Sequence, residues 1–328
     1  MFYLTLNVHS KRVIFIPKGS VSYIITYLDK NNYDMNIIDK IIIKSLGYAQ
    51  SGWIDLKTTD MTKFDFLYKL TTSKAALKSI TLVPGETYYF FLKELSSKLK
   101  IDEITLFNIY LKTAYKADGN IIPQTYNLPI GMKPYDLLQY LYDYTQIQYK
   151  KYSLKIFGHY DKAKWYKYLT IASIIQKESA SKDEMATIAS VIYNRLKKDM
   201  RLQMDGSLNY GKYSHTKVTW KRIREDKTQY NTYTHKGIPS SPVCAVEFAS
   251  IKAAIFPRKT DYLYFVKSTD GTKHLFTNSY KKHKANINKL KKYNKKKKKK
   301  KVQKRKKHTI YKKVYKKSKK LKNLWKNI

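Results

Sequence analysis

The 328 residues include 66 Lys and Arg against 24 Asp and Glu, a formal net charge of +42, with 43% hydrophobic and 14% aromatic residues. That much apolar material supports one large core or two smaller ones, so a chain disordered throughout is excluded. The charge is unevenly spread: residues 281–328 hold 25 of the 66 basic residues and no acid, which leaves 41 basic against 24 acidic residues, or +17, in the first 280. Such a surface attracts polyanions, and charge alone does not choose among nucleic acid, anionic lipid and acidic wall polymer.

The single cysteine, Cys244, excludes an intrachain disulfide framework but leaves the redox compartment open. The seven histidines show no His-x3-His spacing and there is no Cys-x2-Cys, so no metal site and no cofactor are expected. Apolar runs such as 13–17 and 41–43 fall far short of the ~20 residues of a membrane-spanning helix, and the opening ten residues do not read as a signal peptide.

In chain order, Val13-Ile14-Phe15-Ile16 predicts a short strand closed by Pro17-Lys18-Gly19, with Ser20 as N-cap of a helix to about Leu28. Helical spacing follows over 37–46 and 63–70, separated by a loop at 47–52. The grammar then repeats: Ile80-Thr81-Leu82-Val83 precedes Pro84-Gly85-Glu86-Thr87 and a helix-like run to about Leu95, so two related strand, turn and helix units are expected in a small α+β module. A loop over 117–126, with Pro129 and Gly131 close behind, suggests a junction before helical pattern resumes at Tyr135. Residues 261–266 read as a strand ending in a hairpin turn at Asp270-Gly271. The lysine-rich end shows no sustained period and reads as a solvated, mobile tail.

The chemistry-bearing stretch is 166–200. On a helix over 169–178, Ile171, Ile174, Ile175 and Glu178 stand at i, i+3, i+4 and i+7, so the glutamate points where isoleucines point. Ser181-Lys182-Asp183-Glu184 reads as a capping box opening the next helix, whose stripe is Met185, Ile188, Ala189, Ile192 and Leu196. A carboxyl on an apolar face loses solvation when charged, so its pKa rises, which suits a general acid. On spacing alone the plainer reading is a helix-end carboxylate paired with a Lys or Arg.

Read together, Ala172-Ser173-Ile174-Ile175-Gln176-Lys177-Glu178-Ser179, then Ala189-Ser190-Val191-Ile192-Tyr193-Asn194-Arg195-Leu196, then Met200-Arg201-Leu202-Gln203-Met204-Asp205 resemble the endolytic murein transglycosylase (YceG-like) family. Tyr210-Gly211, Tyr230-Asn231-Thr232-Tyr233, Gly237-Ile238-Pro239, Ala253-Ala254, Tyr262-Leu263-Tyr264-Phe265-Val266 and His274-Leu275-Phe276 continue the likeness in the family's order. Upstream, Asp118-Gly119 through Thr125-Tyr126 is similar to the family's entry into its catalytic domain, and the N-terminal units are similar to its LysM-like module. The likeness implies an α+β protein: a small LysM-like N-terminal module over 1–116, a mixed α+β catalytic domain over 117–288, and a disordered lysine-rich tail over 289–328.

It also implies an enzyme that cuts the β-1,4 bond between N-acetylmuramic acid and N-acetylglucosamine inside nascent glycan strands. The product ends in a 1,6-anhydro sugar, and the work belongs to cell wall assembly and strand termination. Glu178 is the implied catalytic residue, protonating the leaving oxygen and then taking the proton of the attacking C6 hydroxyl. Asn194, Arg195, Gln203, Asp205, Asn231 and Tyr233 are the nominated substrate-binding residues, because sugars need hydrogen-bonding groups beside apolar walls. Each has a structural counterpart: Asn231 capping a turn, Tyr233 in the core, Asp205-Gly206 making a loop, Arg195 paired with an internal acid rather than a substrate carboxylate. His274 reads as structural unless a partner is found.

The expected partners are peptidoglycan glycan strands, with peptidoglycan synthases nearby and the tail on anionic lipid or wall polymer; nucleic acid is not favoured. The resemblance implies work on the outer face of the cytoplasmic membrane, although the membrane helix that usually opens family members is not visible, so either the recorded start is late or the protein reaches the wall differently. Gly206 stands where the family pattern places proline, and the connection from Tyr210 to Tyr230 is short. The rival reading is a non-enzymatic polyanion-binding protein, whose basic residues and tyrosines pair phosphates and stack bases. It accounts for the tail but not for the ordered motifs between Ala172 and Phe276.

Overall fold

From residue 7 to 72 the chain forms β1 (Asn7–His9), β2 (Val13–Ile16), α1 (Val21–Lys30), α2 (Ile37–Leu46), β3 (Gly52–Asp55), β4 (Asp60–Thr62) and α3 (Lys63–Thr72). These elements belong to a computed structural model that describes residues 2–297, 299 and 312. Each helix start has a local cause. Ser20 accepts the Tyr23 N–H, Asn36 and Asp39 exchange side-chain and backbone bonds as a capping box, and Thr62 accepts the Asp65 N–H. β2 and β3 pair antiparallel, with Val13 opposite Asp55 and Ile16 opposite Gly52. Ile14 and Ile16 therefore share one side and pack with Leu28, Ile43, Ile54, Phe66 and Leu70.

The next elements are β5 (Leu77–Thr81), α4 (Tyr88–Leu99), α5 (Glu103–Thr113), β6 (Thr125–Pro129) and α6 (Pro134–Phe157). β5 pairs antiparallel with β6 from Leu77 opposite Pro129 to Thr81 opposite Thr125, over a core of Phe91, Leu95, Leu106, Tyr110 and Leu141. Thr87 makes no side-chain cap on α4; the buried Asp118 supplies it, its Oδ1 accepting the Tyr88 N–H at 2.7 Å. The repetition expected from sequence is thus present and longer than the residues suggested: β2–α1–α2–β3 and β5–α4–α5–β6 have the same order, each closed by its own antiparallel pair.

The described chain divides into two compact units: residues 2–166, 210–215 and 241–246, and residues 167–209, 216–240 and 247–297. Residues 117–166, expected with the catalytic part, group with the first unit, because β6 completes the ladder of β5 and α6 packs on α5.

The second unit holds most of α7 (Lys162–Glu178), then α8 (Met185–Lys197), α9 (Trp220–Glu225), α10 (Phe248–Ile255) and the hairpin of β7 (Tyr264–Lys267) with β8 (His274–Thr277). α10 packs against α8, tied by the Tyr193 hydroxyl to the Ala254 carbonyl at 2.6 Å. The hairpin turns at Gly271, whose φ of 80° lies in the left-handed region that glycine tolerates. The strand expected from Asp261 begins only at Tyr264, because the carbonyls of Thr260 and Tyr262 are taken by the Asn194 amide at 2.8 and 2.9 Å.

The expected capping box at 181–184 does not form. Ser181 makes no side-chain cap, and the Glu184 carboxylate instead accepts both the backbone N–H and the ring of His274, the ring nitrogen at 2.9 Å. A final helix, α11, covers residues 280–297, opened by Ser279, whose hydroxyl accepts the Lys282 N–H. The first nine residues of the expected mobile tail, 289–297, are therefore helical, consistent with the good helix propensity of lysine. The rest of the expected tail, 298, 300–311 and 313–328, lies outside the described residues. Among the described residues no helix is long and apolar enough to cross a membrane.

Candidate active site

α7 ends on its chemistry. Ile171, Ile174 and Ile175 are buried, and Glu178, one turn on from the last two, closes the helix on the same face. Its side chain is only partly covered and opens into a cavity of about 620 Å³. Glu178 Oε1 accepts the Gly206 N–H at 2.7 Å, and among the described residues it forms no ion pair with a Lys or Arg. Loss of solvation pushes its pKa up from the ordinary 4.5 to about 7. The Gly206 N–H works against that rise and the nearby Asp205 charge adds to it. The group therefore titrates near neutral pH, able to give a proton and to take one back.

Gly206 fits tightly here. A Cβ at this position would stand 2.7 Å from Lys177 Cβ and 2.9 Å from Glu178 Oε1, so any larger residue must push the carboxylate. The residue that departs from the family pattern is the one that touches the candidate acid.

Of the six other nominated residues, four line the cavity: Arg195, Gln203, Asp205 and Tyr233. The Tyr233 hydroxyl donates to Asp205 Oδ1 at 2.6 Å, and burial first, then that bond and the charges of Asp205 and Glu178, hold the phenol far above its ordinary pKa. Tyr233 thus stays a neutral donor in the cleft wall. Arg195 forms no ion pair with an acid among the described residues. It is buried and donates to the carbonyls of Leu263 at 2.7 Å, Arg201 at 3.0 Å and Leu202 at 2.7 Å, and to Gln203 Oε1 at 3.3 Å, with its guanidinium over the Tyr264 ring. It ties the 201–203 turn to β7.

Asn194 and Asn231 do not line the cavity. The Asn194 amide is used on the two carbonyls before β7, and the fully buried Asn231 donates to the carbonyls of Ile223 and Asp226 at 2.8 and 2.7 Å while accepting the Tyr233 N–H. Both organise loops that carry cleft residues. Nothing in a local pattern separates an amide that meets a sugar from one that meets a backbone carbonyl.

The rest of the wall includes residues that no local pattern marks as lining a cleft: Trp220, Phe265, Lys267 and His274, and one face of α11. That face, Tyr280, His283, Lys284 and Ile287, has helical spacing that the surrounding lysines obscure. His274 has the partner that its sequence context did not show, and its bonds to Glu184 hold β8 against the start of α8. Among the described residues no group of three or more His, Cys, Asp and Glu is placed to hold a metal ion.

The model of the YceG-like family matches residues 14–289. An endolytic murein transglycosylase of Bacillus subtilis is 34% identical over 252 residues, covering 75% of this chain and 67% of that protein. One of Streptococcus pneumoniae is 33% identical over 124 residues, 36% of this chain and only 22% of that protein. The crystal structure of a YceG-like protein of Listeria monocytogenes matches with a TM-score of 0.55 and 25% identity, covering 85% of this chain and 98% of the other. With a family match running through both repeated units, the candidate acid and the hairpin, the chain belongs to the YceG-like family.

Proposed function

We propose that this protein is an endolytic murein lytic transglycosylase with Glu178 as its catalytic acid and base. The observation that carries the reading is a carboxyl group with its pKa pushed up to about 7, set in a 620 Å³ cavity at the end of an apolar helix face. The names of the relatives support the same chemistry. Protonated Glu178 gives its proton to the glycosidic oxygen between N-acetylmuramic acid and N-acetylglucosamine as the bond to the anomeric carbon breaks. The C6 hydroxyl of the muramic residue then attacks that carbon, and the Glu178 carboxylate takes the hydroxyl proton, leaving a 1,6-anhydro end. The proton count returns to its starting point without water, so one carboxylate suffices where ordinary glycosidases need two. Asp205 and the phenol oxygen of Tyr233, whose proton is held by Asp205, serve as acceptors for substrate hydroxyls; Arg195 and Gln203 shape the adjoining wall.

On this reading glycan strands are the substrate, strand termination during cell wall assembly is the role, and the working compartment is the outer side of the cytoplasmic membrane, where that polymer lies. The repeated β–α–α–β order supports reading the N-terminal part as a LysM-like module that begins within 1–116 and is closed by β6, with the catalytic part following within 117–288. Peptidoglycan synthases are natural neighbours for an enzyme that cuts nascent strands. Lysines on α11 favour added attraction to anionic lipid or wall polymer. The test is digestion of uncrosslinked glycan strands by the wild type and by Glu178→Gln, with products identified by mass spectrometry. Anhydro-ended fragments are expected from the wild type alone, since Gln keeps the shape but has no proton to give. Equal cleavage by both would refute the assignment, and polyanion binding without any cleavage would favour the rival reading.

A further inference from the structure

Trp220 is out of place by the usual rules of burial. Its side chain is 78% exposed, although tryptophan is normally well covered, and α9, the six-residue helix that it opens, contributes no buried residue. The helix is held by polar bonds instead. The Thr219 hydroxyl accepts the Arg222 N–H at 3.3 Å, Arg222 donates to the Thr216 hydroxyl at 3.1 Å and to the Leu208 carbonyl, and the Asn231 amide holds the Ile223 carbonyl at 2.8 Å. No core needs the indole, and the segment that presents it is fixed.

What the indole faces is space. It lines the 620 Å³ cavity that contains Glu178 and also a second one of about 400 Å³, walled by Lys217, Val218, Thr219 and Ile223. Asp205 and Tyr233 line both as well. Three residues common to the two cavities set them side by side, the one with the candidate acid and the other meeting along Asp205, Trp220 and Tyr233 as the walls of a groove. We propose that Trp220 and the second cavity form a sugar-binding subsite beyond the cleaved bond, which takes a further pyranose of the same N-acetylated amino-sugar strand. The inference rests on the reading of Glu178 as the acid of a glycan-cleaving enzyme. A pyranose presents a face of C–H groups that stacks on an indole, while its hydroxyl and acetamido groups at the ring edge need donors and acceptors. The groove offers both: the flat apolar surface of Trp220, and the exposed Asp205 carboxylate, which takes the Tyr233 hydroxyl on one oxygen and lines both cavities. Because the subsite lies apart from the reacting atoms, its binding acts on ground state and transition state alike and is read in KM rather than kcat.

Two measurements on the full chain test this. In the first, Glu178→Gln protein, which binds without turnover, is titrated with uncrosslinked glycan oligomers of increasing length while tryptophan emission is followed. A blue shift that appears only with the longer oligomers is expected, and it should vanish in the Glu178→Gln/Trp220→Phe protein. In the second, Trp220→Ala in the active enzyme should raise KM for long strands about tenfold with kcat within about twofold, whereas Trp220→Phe, keeping a flat ring, should stay near wild type. Wild-type KM and affinity in Trp220→Ala, with the wild type cleaving normally, would overturn the subsite and leave the catalytic reading intact. A wild type that neither cleaves nor binds glycan would remove both.

Discussion

The contact between Gly206 and Glu178 gives a prediction that can be worked through. Gly206→Pro removes the N–H that donates to Glu178 Oε1 at 2.7 Å. A hydrogen bond to a charged acceptor is worth about 1.5–3 kcal/mol and one pKa unit about 1.4 kcal/mol. Losing a bond that favours the anion therefore moves the Glu178 pKa upward by about one to two units from its value of about 7. The variant also adds a Cβ, which Gly206→Ala adds while keeping the N–H. Comparing the two separates donor loss from crowding. Both should turn over more slowly, since a Cβ 2.9 Å from Oε1 displaces the carboxylate, and a misplacement approaching 1 Å costs up to about a hundredfold. Only the proline variant should move the alkaline limb of the pH profile of kcat/KM upward, because that limb reports loss of the acid's proton in the free enzyme. The assay is glycan cleavage from pH 5 to 10, on the order of the span around the reference carboxylate and amine values. If the two limbs coincide, the Gly206 N–H does not set the acidity of Glu178 and the reasoning fails.

Two further outcomes follow from the same geometry. A carboxyl raised from 4.5 to about 7 on folding binds a proton that the unfolded chain has already released in that window. Its share of stability is thus complete below pH 4.5 and is lost as pH rises through 7. Glu178→Gln should be the more stable protein at alkaline pH, by up to about 3 kcal/mol, with little advantage in acid; thermal unfolding at several pH values measures it, and a constant difference would contradict it. Arg195→Lys should lower stability by about 2–4 kcal/mol, because a point charge cannot reach the three carbonyls that the planar guanidinium serves; an unchanged denaturation midpoint would show that those bonds are replaceable.

Local features were well marked in the sequence. Residues 37–46 and the strand at 13–16 stand as the spacing predicts, and Glu178 lies on the isoleucine face because helical period alone puts it there. The losses are all long-range. Glu184 satisfies every local rule of a capping box but is taken by His274, 90 positions away. The residues of β6 look locally like the entry to a new domain because their partner, β5, lies 44 or more residues back. Asn194, Asn231 and Arg195 carry donors that suit a sugar, and the fold uses them on backbone carbonyls instead. Trp220 offered no pattern at all, since an exposed platform has no period.

Asp205 stands close enough to Glu178 to raise its pKa, so the cleft holds a second carboxylate of the kind that activates water in an ordinary hydrolysis. Cleavage of glycan strands in water labelled with heavy oxygen decides between the two. If the muramic C6 hydroxyl closes the reaction, the new ends are anhydro sugars that carry no label and lack the mass of one water. New reducing ends bearing one heavy oxygen would show that water is the nucleophile and that the single-carboxylate account of Glu178 is wrong.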